Sequence, residues 1–523
     1  LTLPEAAGGQ GAPMLLGVAV TEMMSGANTA FNMYPGLTAG AAGLIRSFGS
    51  AEQKELYLAN MESGAWAGTM VLTEPHAGSD VGLSKAKAVP LGGDAYAVTG
   101  NKIFISGGDH DMADNIVHMA LARIEGAPQG TRGLSLFIIP KYKVNADGSL
   151  GEFNNVVCTN IEHKLGINAS ATAALSFGES GQCVGYLLGG VSDKGDSAGT
   201  GMSRMFQMMN GARIGVGVQS LGVASTAYLN ALDYARTRLQ GAHIQRGRPA
   251  AGAVPIIEHA DVRRMLMEMK STVEGSRALI YHAVRIQDQV TCLRAAGDES
   301  YKELQDYLGL YIPLVKAHVS DCAVHVTSLA IQVYGGAGYL RDFPAEQYYR
   351  DSRIFPIYEG TNGIQALDLV GRKLMAGGGK VIGRFSQEIN AIIEAMAARQ
   401  GYEMEAGFLR KALESFNAAL GTYMKLMSEG KMEVVPLTAT RFLEMMSKIH
   451  VARLLLEGAW VAESALGGIS ADSSDADYYK GKIAGARYYA RNILPTAISL
   501  GAVIASGDST ALDVSDKGFS INF

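Results

Sequence analysis

The spacing of apolar and polar residues divides the chain into four stretches. Residues 1–66 are rich in Ala and Met, and segments such as Gln53-Lys54-Glu55-Leu56-Tyr57-Leu58 carry a helical pattern. From about 67 to 192 the period shortens. Runs such as Tyr96-Ala97-Val98-Thr99, Lys102-Ile103-Phe104-Ile105-Ser106, Ile116-Val117-His118-Met119-Ala120-Leu121 and Leu134-Ser135-Leu136-Phe137-Ile138-Ile139 are separated by Gly, Asn and Asp. Short strands at regular spacing predict a β-sandwich or barrel. Long helical patterns return from about 200 to 374, for example over Glu258–Leu266. Gly377-Gly378-Gly379 marks a linker. Residues 381–523 are again mostly helical, with a weakly patterned tail after Gly507. Helices, then strands, then helices argue for an α+β chain with segregated layers. The expected domains are N-terminal helical (1–66), middle β (67–192), helical bundle (193–376) and a C-terminal helical extension (381–523).

Composition narrows the function classes. The 523 residues are 48% apolar and 18% charged, enough for several buried cores and unlike a disordered chain. The net charge of −5 leaves no basic excess to neutralise a phosphate backbone, so nucleic-acid binding is not expected. Cys158, Cys183, Cys292 and Cys322 have neither metal-ligand nor redox spacing, which suits a reducing cytoplasm. The ten histidines form no zinc-spaced pair with an acidic partner, and no metal is expected. No apolar run reaches the ~20 residues of a membrane-spanning helix. The chain begins at Leu1, inside what reads as a domain, so an upstream segment is expected and the N-terminal domain is read as truncated.

Three segments carry candidate chemistry. Ile357-Tyr358-Glu359-Gly360-Thr361-Asn362-Gly363-Ile364-Gln365 sets a carboxylate before a glycine that permits close approach and a Thr-Asn pair suited to capping the next helix. Taken alone, Glu359 reads as a solvated carboxylate near a helix start. Leu72-Thr73-Glu74-Pro75-His76-Ala77-Gly78-Ser79-Asp80 leaves a strand and offers hydroxyls and N–H groups, although a plain turn explains it as well. Gln332-Val333-Tyr334-Gly335-Gly336-Ala337-Gly338-Tyr339 suits a backbone beside a nucleotide, or a helix C-cap. It completes no G-x-G-x-x-G pattern, and Gly377–Lys380 is no P-loop because Val381 follows the lysine. Arg213 and Arg238 stand in otherwise apolar helical stretches, as phosphate forks or as snorkelling surface residues.

In this order, Thr73-Glu74-Pro75, Ala77-Gly78-Ser79-Asp80 and Tyr358-Glu359-Gly360-Thr361 resemble the acyl-CoA dehydrogenase family over residues 1–374. The full length resembles the long bacterial subgroup with an extra C-terminal helical domain, which includes 3-methylmercaptopropionyl-CoA and broad-range fatty acyl-CoA dehydrogenases. The resemblance implies FAD as cofactor and Glu359 as the base that removes the substrate's α-proton. It implies that Met70, Leu72 and Thr73 face the flavin, with Ser79 at the boundary between flavin and thioester. Phe104 and Ser106 stand where many members have Trp and Thr. Arg238 corresponds to an arginine reaching FAD phosphates from a partner subunit, though Gln240 replaces the usual aromatic before Gly241. Gln332 and Gly336 match a second FAD-phosphate segment, and Thr361 continues the FAD contact. Gly363 occupies a position that is Gln in many members. Gly360 lies against the substrate, and Asn210 and Arg213 match positions contacting the CoA portion.

The reaction so implied is α,β-desaturation of an acyl-CoA thioester. No side chain accepts a hydride, which is the flavin's task. The base must be a carboxylate whose pKa rises when water is excluded. The resemblance also implies an oxyanion site from the Glu359 N–H and an FAD ribose hydroxyl. An electron-transfer flavoprotein as electron acceptor and a homodimer are further expectations. An acyl-CoA oxidase, a DNA-associated flavoprotein and a non-catalytic scaffold on the same fold stand as alternatives. The acyl group (linear fatty, methylthio-propionyl or aryl-propionyl) is not encoded in any motif.

Overall fold

The computed structural model describes residues 1–191, 198–245, 252–470 and 473–521. The expected boundary at 192/193 and the last two residues of the C-terminal extension lie outside the described residues. The chain divides into two compact units, one of residues 1–12 and 27–215, the other of 13–26 and 216–523.

In the first unit, α1 (Met14–Phe48) from residue 27 onward, kinked at Asn28, and α2 (Ala51–Ser63) precede the strands. Ser50 and Gln53 form a capping box at the start of α2. The buried Gln53 side chain also donates to the Leu187 carbonyl at 2.8 Å, tying helix to sheet. Ten strands follow: β1 (Trp66–Val71), β2 (Lys87–Gly92), β3 (Ala95–Ser106), β4 (Asn115–Ile124), β5 (Leu134–Pro140), β6 (Tyr142–Val144), β7 (Leu150–Phe153), β8 (Val156–Ile161), β9 (Thr172–Phe177) and β10 (Val184–Leu187).

The pairing closes on itself. β4 pairs β5, β5 pairs β10, β10 pairs β3, β3 pairs β2, and β2 returns to β4. The expected sandwich-or-barrel is thus a small barrel, with β1 added beside β4 and β9 and β8 added beside β3. Closure removes the edges that a flat sheet would expose. The long strand β3 serves both parts: Ala95–Thr99 pair within the barrel, and Gly100–Ser106 pair β9. The switch needs glycine at 100, where φ is +148° and a Cβ would lie 2.9 Å from Ala86 Cα. One core fills the barrel with Val71, Val98, Ala120, Phe137, Ile139 and Leu175. Another lies between the sheet and α1/α2, built on Leu44, Ile45, Tyr57, Met61, Trp66, Met119 and Leu136.

The second unit is helical: α3 (Gly201–Thr237) from residue 216 onward, α4 (Ala260–Ala295), α5 (Tyr301–Tyr334), α6 (Ala345–Ser352), α7 (Asn362–Asp368), α8 (Lys380–Ala397), α9 (Glu403–Ser428), α10 (Val435–Leu466), α11 (Ser474–Tyr488) and α12 (Pro495–Ala505). Gly377, Gly378 and Gly379 all take left-handed φ before α8 and form the expected break. The helix expected over 258–266 starts at Ala260, after a 3-10 turn over Ile256–Glu258. Helix α10 is apolar on nearly every side, as a central helix must be, and packs against α4, α5, α7, α9, α11 and α12. Gly275 permits the approach of α4, since a Cβ there would lie 2.4 Å from Val451 Cγ1. Around this junction His282, Tyr311 and His450 pack ring to ring at 4.7–4.9 Å. No helix among the described residues is long and apolar enough to cross a membrane.

Candidate functional site

Eight of the fourteen expected site residues fall in the first unit. Met70, one residue before the end of β1, is in register with Met119, and Leu72 and Thr73 follow the strand half-buried. The Thr73 carbonyl accepts from Ile103 N–H at 3.0 Å, which brings the Thr73 loop beside Phe104 and Ser106 on β3. Phe104 lies where β3 and β9 shift register. Its φ is +60° and its side chain is 60% exposed. A bulky residue held left-handed, with its ring in solvent, is a strained feature of the kind that clusters at ligand sites. Ser79 is exposed on the loop after Glu74. Asn210 and Arg213 share a face of α3; Arg213 is buried, and its guanidinium donates to Asn210 Oδ1 at 3.4 Å.

Glu74, which the motif contains but the resemblance left without a role, anchors this loop. It is 3% exposed and pairs with Lys102, 1% exposed by its side chain, at 2.9 Å. It also accepts from Lys85 N–H at 2.7 Å, Ala86 N–H at 3.1 Å and the Ser84 hydroxyl. Lys102 reaches on to the Leu72 carbonyl at 2.9 Å. Burial alone would push the Glu74 carboxyl up, but Lys102 and the hydrogen bonds outweigh it and hold the carboxyl below its ordinary value. Burial pulls Lys102 down, against the opposing pull of Glu74. The available signal was a lysine inside the apolar run Lys102–Ile105, since buried lysines are rarely unpaired.

Glu359 belongs to the second unit, at the tip of a short turn. Asn362 N–H donates to the Pro356 carbonyl at 3.0 Å and closes the neck around residues 357–361. Glu359 has φ +56° and Gly360 φ +83°, two successive left-handed residues. The turn is pinned on both flanks. The Tyr358 hydroxyl donates to Gln219 Oε1 at 2.7 Å, and Gln365 Nε2 donates to the Glu359 and Gly360 carbonyls at 3.4 and 3.5 Å. Burial, then the neighbouring Glu359 charge, push the Tyr358 hydroxyl up, so it stays protonated and keeps donating. Thr361 caps α7, accepting from Ile364 N–H at 3.3 Å, as its motif suggested. Asn362 does something else: its carboxamide grips α5. A Cβ on Gly363 would find its nearest neighbour, Thr361 Oγ1, at 3.7 Å, so the glycine leaves room where many members carry a side chain.

Arg238, Gln332 and Gly336 lie away from that turn. Arg238 is not helical as expected; α3 ends at Thr237, and Arg238 enters an extended segment whose next residue, Leu239, pairs with Pro255. Gln240 takes part through its backbone, bonding Val254 and His259. Gln332 stands at the C-terminal end of α5, where Gly335 N–H caps the Gln332 carbonyl. Tyr234 stacks on Tyr334 at 4.2 Å, so the ends of α3 and α5 lie side by side. Arg238, Gln332 and Gly336 are all exposed. From Ser320, beneath the Glu359 turn, to Gln332 is about 18 Å along α5 at ~1.5 Å per residue. Within this unit, then, Glu359 and the residues Gln332 and Gly336 cannot touch one small group.

These residues fit an FAD. An exposed aromatic ring and a strand end suit a flat ring system. An exposed guanidinium and carboxamide, with an open Gly-Gly backbone where a Cβ on Gly335 or Gly336 meets nothing within 4 Å, suit a diphosphate. Among the described residues no group of three acidic, His or Cys side chains is placed to hold a metal.

Residues 1–65 match the N-terminal, 69–180 the middle and 199–375 the C-terminal domain models of acyl-CoA dehydrogenase, and 385–515 match "acetyl-CoA dehydrogenase C-terminal like". A butyryl-CoA dehydrogenase of Syntrophomonas wolfei is 38% identical over 97% of this chain and 82% of its own. The 3-methylmercaptopropionyl-CoA dehydrogenase of Ruegeria pomeroyi is 38% identical over 94% of this chain and 81% of its own. A Bacillus anthracis acyl-CoA dehydrogenase solved with FAD shares the fold at a TM-score of 0.75, with 22% identity, 98% of this chain and 81% of that one covered.

Proposed function

From the premise that the chain belongs to the acyl-CoA dehydrogenase family, we propose that it converts a linear acyl-CoA to the trans-2-enoyl-CoA with Glu359 as the base. The observation that carries the role of Glu359 is its backbone. A glutamate held left-handed at the tip of a turn pinned on both flanks is a strained residue of the kind that clusters at functional sites. The α-C–H bond breaks, its electron pair becomes the C=C bond, and the proton goes to the Glu359 carboxylate. FAD, the family's cofactor, supplies when bound the acceptor for the hydride leaving the β-carbon.

The chain's own residues orient and exclude water. Gly360, lacking a side chain at φ +83°, lets the thioester approach the base. The Glu359 N–H serves the thioester oxygen as charge develops. Thr73, Ser79, Phe104 and Ser106 hold the flavin face, and Asn210 and Arg213 the CoA portion. Arg238, just past the end of α3, and Gln332 and Gly336, at the far end of α5 from Glu359, are exposed and serve the FAD of a second copy in a homodimer. Electrons pass on to an electron-transfer flavoprotein. Support for a linear acyl group comes from the butyryl and 3-methylmercaptopropionyl substrates named for two relatives.

Glu359→Gln tests the assignment. The variant keeps bound FAD, and dye reduction with butyryl-CoA falls at least ~10³-fold, the scale on which a removed general base and its oriented geometry act. Near-normal turnover by the purified variant rules the base out. Wild-type dye reduction across acyl-CoA chain lengths, including 3-methylmercaptopropionyl-CoA, fixes the acyl group.

A further inference from the structure

We propose that Asn362 is a positioning residue for proton abstraction, its carboxamide clamping the neck of the Glu359 turn to α5. The proposal rests on Glu359 being the base. Asn362 closes the turn by its backbone, through the Pro356 carbonyl, and holds it down by its side chain. Oδ1 accepts from Lys316 Nζ at 2.8 Å and faces the Ser320 hydroxyl at 3.3 Å. The two Nδ2 hydrogens have three acceptors within reach, the Asp321 carboxylate at 2.8 Å, Ser320 Oγ at 3.0 Å and the Ala317 carbonyl at 3.1 Å. The polarity of the amide is dictated by its neighbours, because lysine only donates and a carboxylate only accepts. A carboxamide is the one group of this size that meets a cation on one side and an anion on the other without net charge.

The clamp acts through geometry. Glu359 is three residues from Asn362, on a turn whose two left-handed residues relax if the neck opens. A displacement of ~1 Å at a reacting group can cost 10²-fold in rate. Lys316 is fully buried on α5, within the apolar run Tyr311–Val319, so the clamp's far side is rigid. Asp321 and Asn362 line a cavity of about 520 Å³ between α4, α5 and α10. The charged groups acting on Asp321 are Lys316, Glu444 and Arg353, and Glu268, His325, Arg441, Glu444 and Lys448 line the cavity. Although Asp321 reaches solvent along that cavity, its packed surroundings push the carboxyl up to about 6, against the Asn362 hydrogen bond.

The test uses holoenzyme and α-deuterated butyryl-CoA. Asn362→Ala is expected to lower kcat by ~10- to 100-fold, with KM within about threefold, FAD retained, and the α-deuterium isotope effect increased because proton removal becomes slower. An unchanged kcat, or a loss that follows FAD content with no rise in isotope effect, overturns the proposal. Should Asn362→Ala not fold, Asp321→Ala and Asp321→Asn decide it. Asn retains an acceptor for Nδ2 and keeps the rate, whereas Ala slows it; equal rates overturn the proposal. A dead Glu359→Gln beside a fully active Asn362→Ala defeats the clamp alone, whereas an active Glu359→Gln defeats the base.

Discussion

Replacing Glu74 by alanine should uncouple the Thr73–Ser79 loop from the barrel. The side chain is nearly inaccessible, and so is that of Lys102, its partner at 2.9 Å. Removing one member of a buried pair leaves the other charge uncompensated and costs about 3–5 kcal/mol. The N–H groups of Lys85 and Ala86 lose their acceptor as well. Each such orphan costs about 1–3 kcal/mol, but the terms overlap because all converge on one carboxylate, so about 5 kcal/mol is the working figure. At roughly 2–4 °C per kcal/mol this lowers the melting temperature on the order of 10–20 °C. The assay is thermal release of FAD, read by flavin fluorescence, because a chain of several cores need not unfold in one step. Glu74→Leu with Lys102→Met removes both charges, and most of the loss should return. The reasoning is refuted if Glu74→Ala melts within 2 °C of wild type, or if the double variant is as unstable as the sum of the singles.

Burial holds His118, His282 and His318 at pKa values of about 3, and His450 well below its ordinary value. Native protein therefore takes up no proton on them between pH 6.5 and 3 while unfolded chain does, so their contribution is complete above about 6.5 and lost as pH falls; urea unfolding at pH 7, 6, 5 and 4 should show it, with a flatter slope for His282→Phe. Phe104→Gly relieves a left-handed side chain and should raise the melting temperature of the FAD-free protein, by about 1 kcal/mol of strain, while weakening FAD retention on dialysis; tighter retention would contradict a flavin-side role.

Much was legible before folding. Period alone separates helix from strand, because the side-chain repeat of each is a property of the local backbone. The break at Gly377–Gly379, the cap at Thr361 and the turn after Gln332 are also local, and each stands where its residues place it. Arg238 shows the limit at a boundary. Its flanking residues read as helix, but the pairing of Leu239 with Pro255, sixteen positions on, draws the backbone out.

What the chain by itself determined, then, is the order of elements, a β-domain of the sandwich-or-barrel class and the motif set that marks the family. Only tertiary structure decided which polar residues matter to one another. Glu74 finds Lys102, 28 positions away, and Asn362 finds Lys316 and Asp321 more than 40 positions back on α5. It also revealed that Phe104 and Glu359 share a left-handed backbone, which no residue type announces. The physical reason is range. Propensity and capping act within a turn or two of chain, whereas buried charge is tolerated only where a distant partner is brought within hydrogen-bonding reach.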